Sequence, residues 1–136
     1  MSAIESIAIL DGQATPTAHT FYPVQSDPSA VYRENLSSLA LIGQGTVSLE
    51  IRSKASDALQ RIRMSLALPA LETATGANSA GYTAAPKVAY TNTATLDFIL
   101  PARGTATQRK DLRVLLSNLL LNDQVIDSVE NLNRPY

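Results

Sequence analysis

The stretch TVSLEIRSKASDALQRIRMSL, residues 46–66, combines strand periodicity with a concentration of positive charge. Apolar and polar side chains alternate in two runs separated by a short polar turn, and this period of two is typical of a half-buried β-hairpin. One face of the predicted hairpin is apolar, whereas the other carries Arg52, Arg61 and Arg63, with Lys54 at the turn. Taken alone, this stretch favours the interpretation that the arginines are solvated, since charged side chains usually face water.

The composition limits the chemistry of the chain. A length of 136 residues suits a single domain with one core. There is no cysteine and only one histidine, His19, so we expect no disulfide and no multi-histidine metal site within one chain. The formal net charge of -1 requires any polyanion site to be a local basic patch. The N-terminal sequence has no basic leader and no apolar run is as long as a membrane span, which predicts neither a signal peptide nor a transmembrane helix.

The N-terminal sequence predicts a hairpin at the edge of a sheet. Two strand-like runs cover residues 4–24, and Asp11-Gly12 between them predicts a tight two-residue turn. Pro16 and Pro23 in the second run are incompatible with a central strand, because proline cannot donate a ladder hydrogen bond.

Three further segments are predicted between this hairpin and the C-terminal part of the chain. Residues 31–35 and 36–42 are short strand candidates. Residues 70–86 consist almost entirely of small side chains and predict a long loop, which is either functional or a floppy insertion.

The segment KVAYTNTATLDFIL, residues 87–100, predicts a long strand with one polar and one apolar face. Its polar face would extend the face that carries the arginines. The threonines on it are Thr91, Thr93 and Thr95.

From about Gly104 the apolar period becomes helical. Thr105 and Gln108 have the spacing of a capping box, and leucines then recur at helical intervals. Asn122 is placed to cap a second helix, which Pro135 is predicted to stop. Strands followed by two helices predict an α+β domain, with the helices on one face of an antiparallel sheet and the polar face uncovered.

Six segments in order carry a resemblance to a known family. They are LDGQATPTAHTFYP at 10–23, EIRSK at 50–54, RIRMSLALP at 61–69, PKVAYTNTATLDF at 86–98, ARGTATQRKDL at 102–112 and VIDSVENLNRPY at 125–136. Through the order and spacing of these segments, nearly the whole chain resembles the coat proteins of the small single-stranded RNA bacteriophages, the levivirus family.

The resemblance implies a single coat-protein domain over residues 1–136. It would comprise an N-terminal hairpin at 1–24, a five-stranded antiparallel sheet at 31–100 that includes the long loop, and two helices at 105–133. Two subunits would interlock as an obligate homodimer with a continuous ten-stranded sheet.

The same resemblance implies a capsid protein of the virion and not an enzyme. Dimers would assemble in the bacterial host cytoplasm into an icosahedral shell around genomic single-stranded RNA. The inner sheet face would bind an RNA hairpin and repress replicase translation. No cofactor, membrane or small-molecule substrate is implied.

The RNA-binding residues follow from matching positions. They are Ser48, Arg52, Lys54, Arg61, Arg63, Ser65, Thr91, Thr93 and Thr95. Ser65 stands where several members have lysine, Glu50 where a small polar residue is common, and Thr93 where some members have a tyrosine that stacks on a base. We therefore expect general RNA contact to be retained and a different hairpin to be recognised. The opposite register would put Tyr90 and Asn92 on this face, but it would also direct the apolar side chains of the same strand into the shell interior.

Two other functions are weighed against the capsid. A dimeric RNA-binding regulator without a shell would share the sheet, although the loop at 70–86 has no evident use in it. A small enzyme could pair the carboxylates of Glu50 and Asp97, but such pairs need a water-excluding pocket that nothing in the sequence predicts.

Overall fold

Six antiparallel strands in chain order, followed by two helices, form the architecture of the chain. The computed structural model describes residues 3–36, 39–53, 58–73, 81 and 84–135. The strands are β1 (Ile7–Leu10), β2 (Ala18–Gln25), β3 (Ala30–Glu34), β4 (Thr46–Ser53), β5 (Leu59–Leu71) and β6 (Val88–Pro101), and the helices are α1 (Ala106–Leu119) and α2 (Asp123–Glu130). Lys54 and most of the central part of the predicted loop at 70–86 lie outside the described residues.

The central hairpin formed by β4 and β5 confirms the predicted alternation. Arg52 pairs with Arg61, and Ser48 pairs with Ser65. Because directly opposed residues of an antiparallel pair lie on the same face, the arginines of both strands share one surface.

Strand β6 confirms the predicted register. Its partner β5 places Ser65 opposite Thr95 and Pro69 opposite Thr91. Tyr90 and Asn92 therefore lie on the apolar face, so the alternative register is wrong.

The N-terminal hairpin is present, but its predicted two-residue turn is wrong. The last pair joins Leu10 to Ala18, so residues 11–17 form the connection. Gly12 does not adopt the positive φ that a tight type I′ turn requires. Instead, the Asp11 carboxylate accepts backbone hydrogen bonds from Gln13 at 3.3 Å and Thr17 at 2.9 Å, which stabilises the wider loop.

Strand β1 is one edge of the sheet, as predicted for this hairpin, but the prediction that its second run is not an interior strand is wrong. The return strand β2 lies between β1 and β3 and joins the hairpin to the rest, so the sheet has six strands where five plus a separate hairpin were expected. Pairing with β1 ends at Phe21, and Pro23 therefore pairs on one side only, with Tyr32 of β3.

The strand predicted at 36–42 is wrong. Leu41–Gly43 forms a short 3-10 helix, and the buried Gln44 side chain donates to the carbonyl of Leu36 at 3.1 Å. A Cβ at Gly43 would approach Leu71 of β5 to 2.7 Å. Close packing against β5 therefore overrides the strand pattern of this segment.

Both helices begin at the residues that the sequence predicts, whereas the second helix ends earlier than predicted. Thr105 and Gln108 form both hydrogen bonds of the capping box of α1, and the Asn122 side chain caps α2. Helix α2 already ends at Glu130, and Leu132 has a φ of 57°. The prediction that Pro135 stops this helix is wrong, because the chain leaves the helical conformation before reaching it.

The apolar side chains are buried unevenly. Among the described residues, only Phe21 and Tyr32 are fully buried apolar side chains, whereas α1 and α2 bury none. Contacts within the sheet dominate the tertiary structure, and neither helix packs extensively on the strands of its own chain. The expectation that the helices cover the sheet is therefore wrong for a single chain.

Candidate nucleic-acid interface

Three neighbouring strands, β4, β5 and β6, build one polar face from rows of directly opposed side chains. We call this surface the polar face. Its rows are Ser48–Ser65–Thr95, Glu50–Arg63–Asp97 and Arg52–Arg61–Ile99, and Thr93 and Thr91 continue it along β6. The predicted RNA-binding residues, Lys54 excepted, are thus brought together on one surface.

The first row consists of hydroxyl groups. The Oγ atoms of Ser48 and Ser65 lie 2.6 Å apart and form a hydrogen bond across β4 and β5. Thr95 faces Ser65 from β6, and its neighbours on the same face, Thr91 and Thr93, are exposed. Hydroxyls of this kind donate to phosphate oxygens, and they donate to or accept from the sugar 2′-OH and base edges.

The second row holds an arginine between two carboxylates. Arg63 Nε donates to Asp97 Oδ1 at 2.8 Å and Arg63 Nη2 donates to Asp97 Oδ2 at 2.9 Å, so the pair is bidentate. These hydrogen bonds raise the pKa of Arg63 and lower the pKa of Asp97. Glu50 faces Arg63 from the other side, on β4.

The third row places two arginines directly opposite each other. Arg52 pairs with Arg61, and like charges in this position destabilise a sheet. Arg52 Nε donates to Glu50 Oε1 at 2.7 Å, whereas the ion pairs among the described residues do not include Arg61. A bound anion would relieve this repulsion.

Asp97 and Ile99 lie on the polar face but were not among the predicted RNA-binding residues. The alternation of β6 places Asp97 on the same face as the threonines, so the sequence could have indicated its position on the polar face. Its pairing with Arg63 depends on the register of β5 and β6, which the sequence does not give. Ile99 is an apolar side chain on the polar face and is 53% exposed. The enzyme hypothesis is not supported by this geometry, since Glu50 and Asp97 each bind a different arginine.

A second polar cluster, at the N-terminal end of the sheet, was missed entirely. His19 Nδ1 lies 2.5 Å from Glu34 Oε1, and His19 Nε2 lies 3.2 Å from Asp11 Oδ2. The hydrogen bonds to Glu34 and then Asp11 raise the pKa of His19. The pKa of Asp11 is lowered, chiefly by the backbone hydrogen bond from Thr17 and also by His19. This cluster ties β2 to β3 and to the loop that follows β1.

Neither a metal site nor a membrane span is found in the part of the chain that the structure describes. Its His, Asp and Glu side chains form no group of three or more that could hold a metal ion. The described helices fall short of the length and apolarity that crossing a membrane requires.

An open polar face and exposed apolar helices define a structural protein that associates with other molecules. Comparison with known proteins identifies its family. The sequence matches the family described as Levivirus coat protein over residues 2–136. The chain therefore belongs to the levivirus coat protein family, as its resemblance predicted, and it is a structural capsid protein and not an enzyme.

Solved structures agree with this assignment. The matching chain of a structure described as a virus-like particle of bacteriophage ESE058 has 31% sequence identity to this chain. The alignment covers 99% of this chain and 100% of that chain, with a TM-score of 0.89. A virus-like particle of bacteriophage EMS014 is 34% identical, with coverage of 88% and 75% and a TM-score of 0.77. The capsid protein of bacteriophage GA shares the fold at 17% identity, with 96% of each chain covered and a TM-score of 0.75. A comparison with curated protein sequences gave no significant match.

Proposed function

We propose that this coat protein forms interlocked homodimers, which assemble into an icosahedral shell around genomic single-stranded RNA. Similar solved structures are described as virus-like particles, which supports assembly over a regulator that remains a dimer. Assembly in the cytoplasm of the bacterial host and a final place in the virion follow from this role.

The exposed apolar surface supports a second copy of the chain as the first partner. Leu115 is 67% exposed on α1, and Val129 is 69% exposed on α2. The face of the sheet opposite the polar face is also apolar and open, with Ile51 61% exposed. Docking the helices of one subunit on the apolar sheet face of its partner would bury both surfaces. Each fully buried large apolar side chain would contribute about 1.5–3 kcal/mol.

The observation that carries the RNA proposal is the direct opposition of Arg52 and Arg61. Glu50 binds Arg52, but Arg61 has no ion pair among the described residues, so a phosphate that contacts both arginines would be attracted by a net positive charge. The hydroxyl row beside them supplies further hydrogen-bond partners for RNA. Binding of an RNA hairpin at the replicase start, with repression of translation, is part of this proposal. Glu50 and Thr93 make the recognised hairpin differ from those of other family members.

The shell is tested by expressing the chain alone. Size-exclusion chromatography should give a particle far larger than a dimer, and negative-stain microscopy should show closed spheres. A dimer at all protein concentrations would contradict assembly and favour the alternative, a non-assembling RNA-binding regulator.

The RNA interface is tested with the double variant Arg52→Ala and Arg61→Ala. Less RNA should co-purify, and the slope of log affinity against log salt should flatten by about 0.7–0.9 for each phosphate that the protein no longer neutralises. The matched control is Arg103→Ala with Arg134→Ala, which removes the same charge outside the polar face. Equal reductions in both double variants would show that RNA binds a different surface.

A further inference from the structure

The Arg63–Asp97 pair has free hydrogen-bonding capacity. A guanidinium group has five N–H donors, and two of them are used by Asp97. The Arg63 side chain is 47% exposed, so its remaining donors are accessible from the polar face. A planar fork that is already fixed loses less conformational entropy when it binds a second group.

The charge of this row disfavours phosphate as that second group. Glu50 and Asp97 flank Arg63 on either side, so Arg63 lies between two carboxylates, of which Glu50 is also bound by Arg52. A phosphate at Arg63 would meet both carboxylates. A neutral ligand with two adjacent acceptors would use the free fork without that repulsion.

Guanine fits this description. Its O6 and N7 atoms are adjacent acceptors that bind the arginine fork in a bidentate manner, whereas adenine presents a donor beside N7. Unpaired bases in RNA loops expose this edge and both ring faces. Ile99, exposed in the neighbouring row and two residues from Asp97 along β6, offers apolar surface for the face of the base.

We propose that Arg63, held in place by Asp97 and flanked by Ile99, is a guanine-recognition site on the polar face. Arg63 is the residue that contacts the base, and Asp97 is a positioning residue. The proposal rests on the proposed RNA-binding function. It separates two roles, since Arg52 and Arg61 attract phosphate and Arg63 discriminates between bases.

Filter binding with the full-length protein, dissociated from shells into dimers before the probe is added, tests this assignment, because the polar face would line the interior of a closed shell. The probes are short oligouridylates that carry one central guanine, 7-deazaguanine, adenine or cytosine. The guanine probe should bind about 5- to 150-fold more tightly than the adenine and cytosine probes, which is the range for one bidentate arginine–guanine contact. Its advantage over the 7-deazaguanine probe, which keeps O6, should be smaller. 7-Deazaguanine isolates the contribution of N7, and this series requires no protein variant.

Three variants assign the preference to residues. Arg63→Lys keeps the charge but lacks the planar fork, so the guanine preference should disappear while affinity for plain oligouridylate stays within about twofold. Asp97→Asn removes a negative charge and one fixed hydrogen bond. It should raise affinity for every probe and reduce the guanine preference. Arg103→Lys, the same change outside the polar face, is the matched control and should keep the preference.

The possible failures are distinguishable. Binding of all probes with equal affinity, or a preference for cytosine, would overturn the guanine site and leave the RNA-binding proposal intact. A guanine preference that persists in Arg63→Lys would overturn the role of Arg63. If the wild-type protein bound no probe, the proposed RNA function and this inference would both be overturned.

Discussion

The two ends of the chain differ in how they bury apolar side chains. In the N-terminal part, β2 and β3 pack Phe21 and Tyr32 until they are 1% and 7% exposed. In the C-terminal part, both helices are well capped, yet Leu115 and Val129 remain mostly exposed. The helix caps of the C-terminal part follow the local sequence signals, but among the described residues apolar side chains are buried within the chain only in the N-terminal part.

This difference separates two sources of stability. The N-terminal core contributes within one subunit, whereas the apolar side chains of the helices would contribute if the proposed partner subunit covered them. Unfolding of the helical part should therefore depend on protein concentration, since association stabilises the folded state by mass action. Four substitutions break or sharpen this contrast.

The largest effect is expected for Leu115→Asp on α1. A charge at the proposed subunit interface would be buried without a partner, so dimers and shells should no longer form. Analytical ultracentrifugation checks the outcome. The control is Ser117→Asp, which adds the same charge on the opposite side of the helix and should still assemble. Intact shells in Leu115→Asp would mean that the helix does not contribute to the interface.

Phe21→Ala should produce the next largest effect, by disrupting the core within one subunit. Removing a fully buried phenylalanine typically lowers the free energy of unfolding by about 3–5 kcal/mol. Urea denaturation at fixed protein concentration measures the decrease. Tyr22→Ala, at the neighbouring 49% exposed position, is the control and should have a much smaller effect. Similar decreases for both would contradict the existence of a distinct N-terminal core.

The His19 cluster should make the stability of the N-terminal end depend on pH. The pKa of His19 is raised above its unfolded value of 6.5, so its contribution is fully present below that value and is lost as pH rises through the folded pKa. The pKa of Asp11 is lowered below 3.8, so its contribution is lost only as pH falls through the lower folded value.

His19→Gln should therefore lower the Tm most between pH 3.8 and 6.5, the two unfolded values, and least at alkaline pH. Differential scanning fluorimetry across pH measures this difference between wild type and variant. Since Glu34 also contacts His19, Glu34→Gln should reduce the same pH dependence. A Tm difference that is constant with pH would show that the cluster acts only through packing.

The smallest effect is expected for Thr105→Ala, which removes the cap of α1. Removing such a cap typically costs about 1 kcal/mol, because one backbone N–H at the helix start is left without its partner. Circular dichroism during thermal unfolding provides the readout. Thr107→Ala, inside the first turn, removes a threonine that does not cap and is the control. Equal effects of the two substitutions would indicate that the cap contributes little.

The register of the polar face was predictable because its signals are local and repeated. A strand period of two, maintained through β4, β5 and β6, leaves only two choices for which residues form the apolar face. The apolar side chains of Leu96 and Phe98 favour the choice that places the threonines on the polar face, and their partial burial agrees with it. The capping residues Thr105 and Asn122 were likewise recognisable, because a helix cap involves residues only a few positions apart.

The incorrect predictions have a common physical cause. Asp11-Gly12 has the sequence of a tight turn, but the Asp11 carboxylate binds the backbone of Thr17 and closes a wider loop. The segment 36–42 has strand-like composition, but Gly43 packs against Leu71, which is distant in the chain. His19 meets Glu34 only because β2 and β3 pair. Each outcome depends on a partner that local periodicity does not identify.

By itself, the sequence determined the six-segment likeness to levivirus coat proteins, the alternating faces of the strands and the starts of both helices. These features depend on backbone period, side-chain chemistry and short-range hydrogen bonds. The tertiary structure alone decided that Arg52 opposes Arg61, that Asp97 holds Arg63 and that the helices leave their own sheet uncovered. Those features depend on strand pairing and on which surfaces pack together, and they show that the arginines at 46–66 share one face with the carboxylates of Glu50 and Asp97.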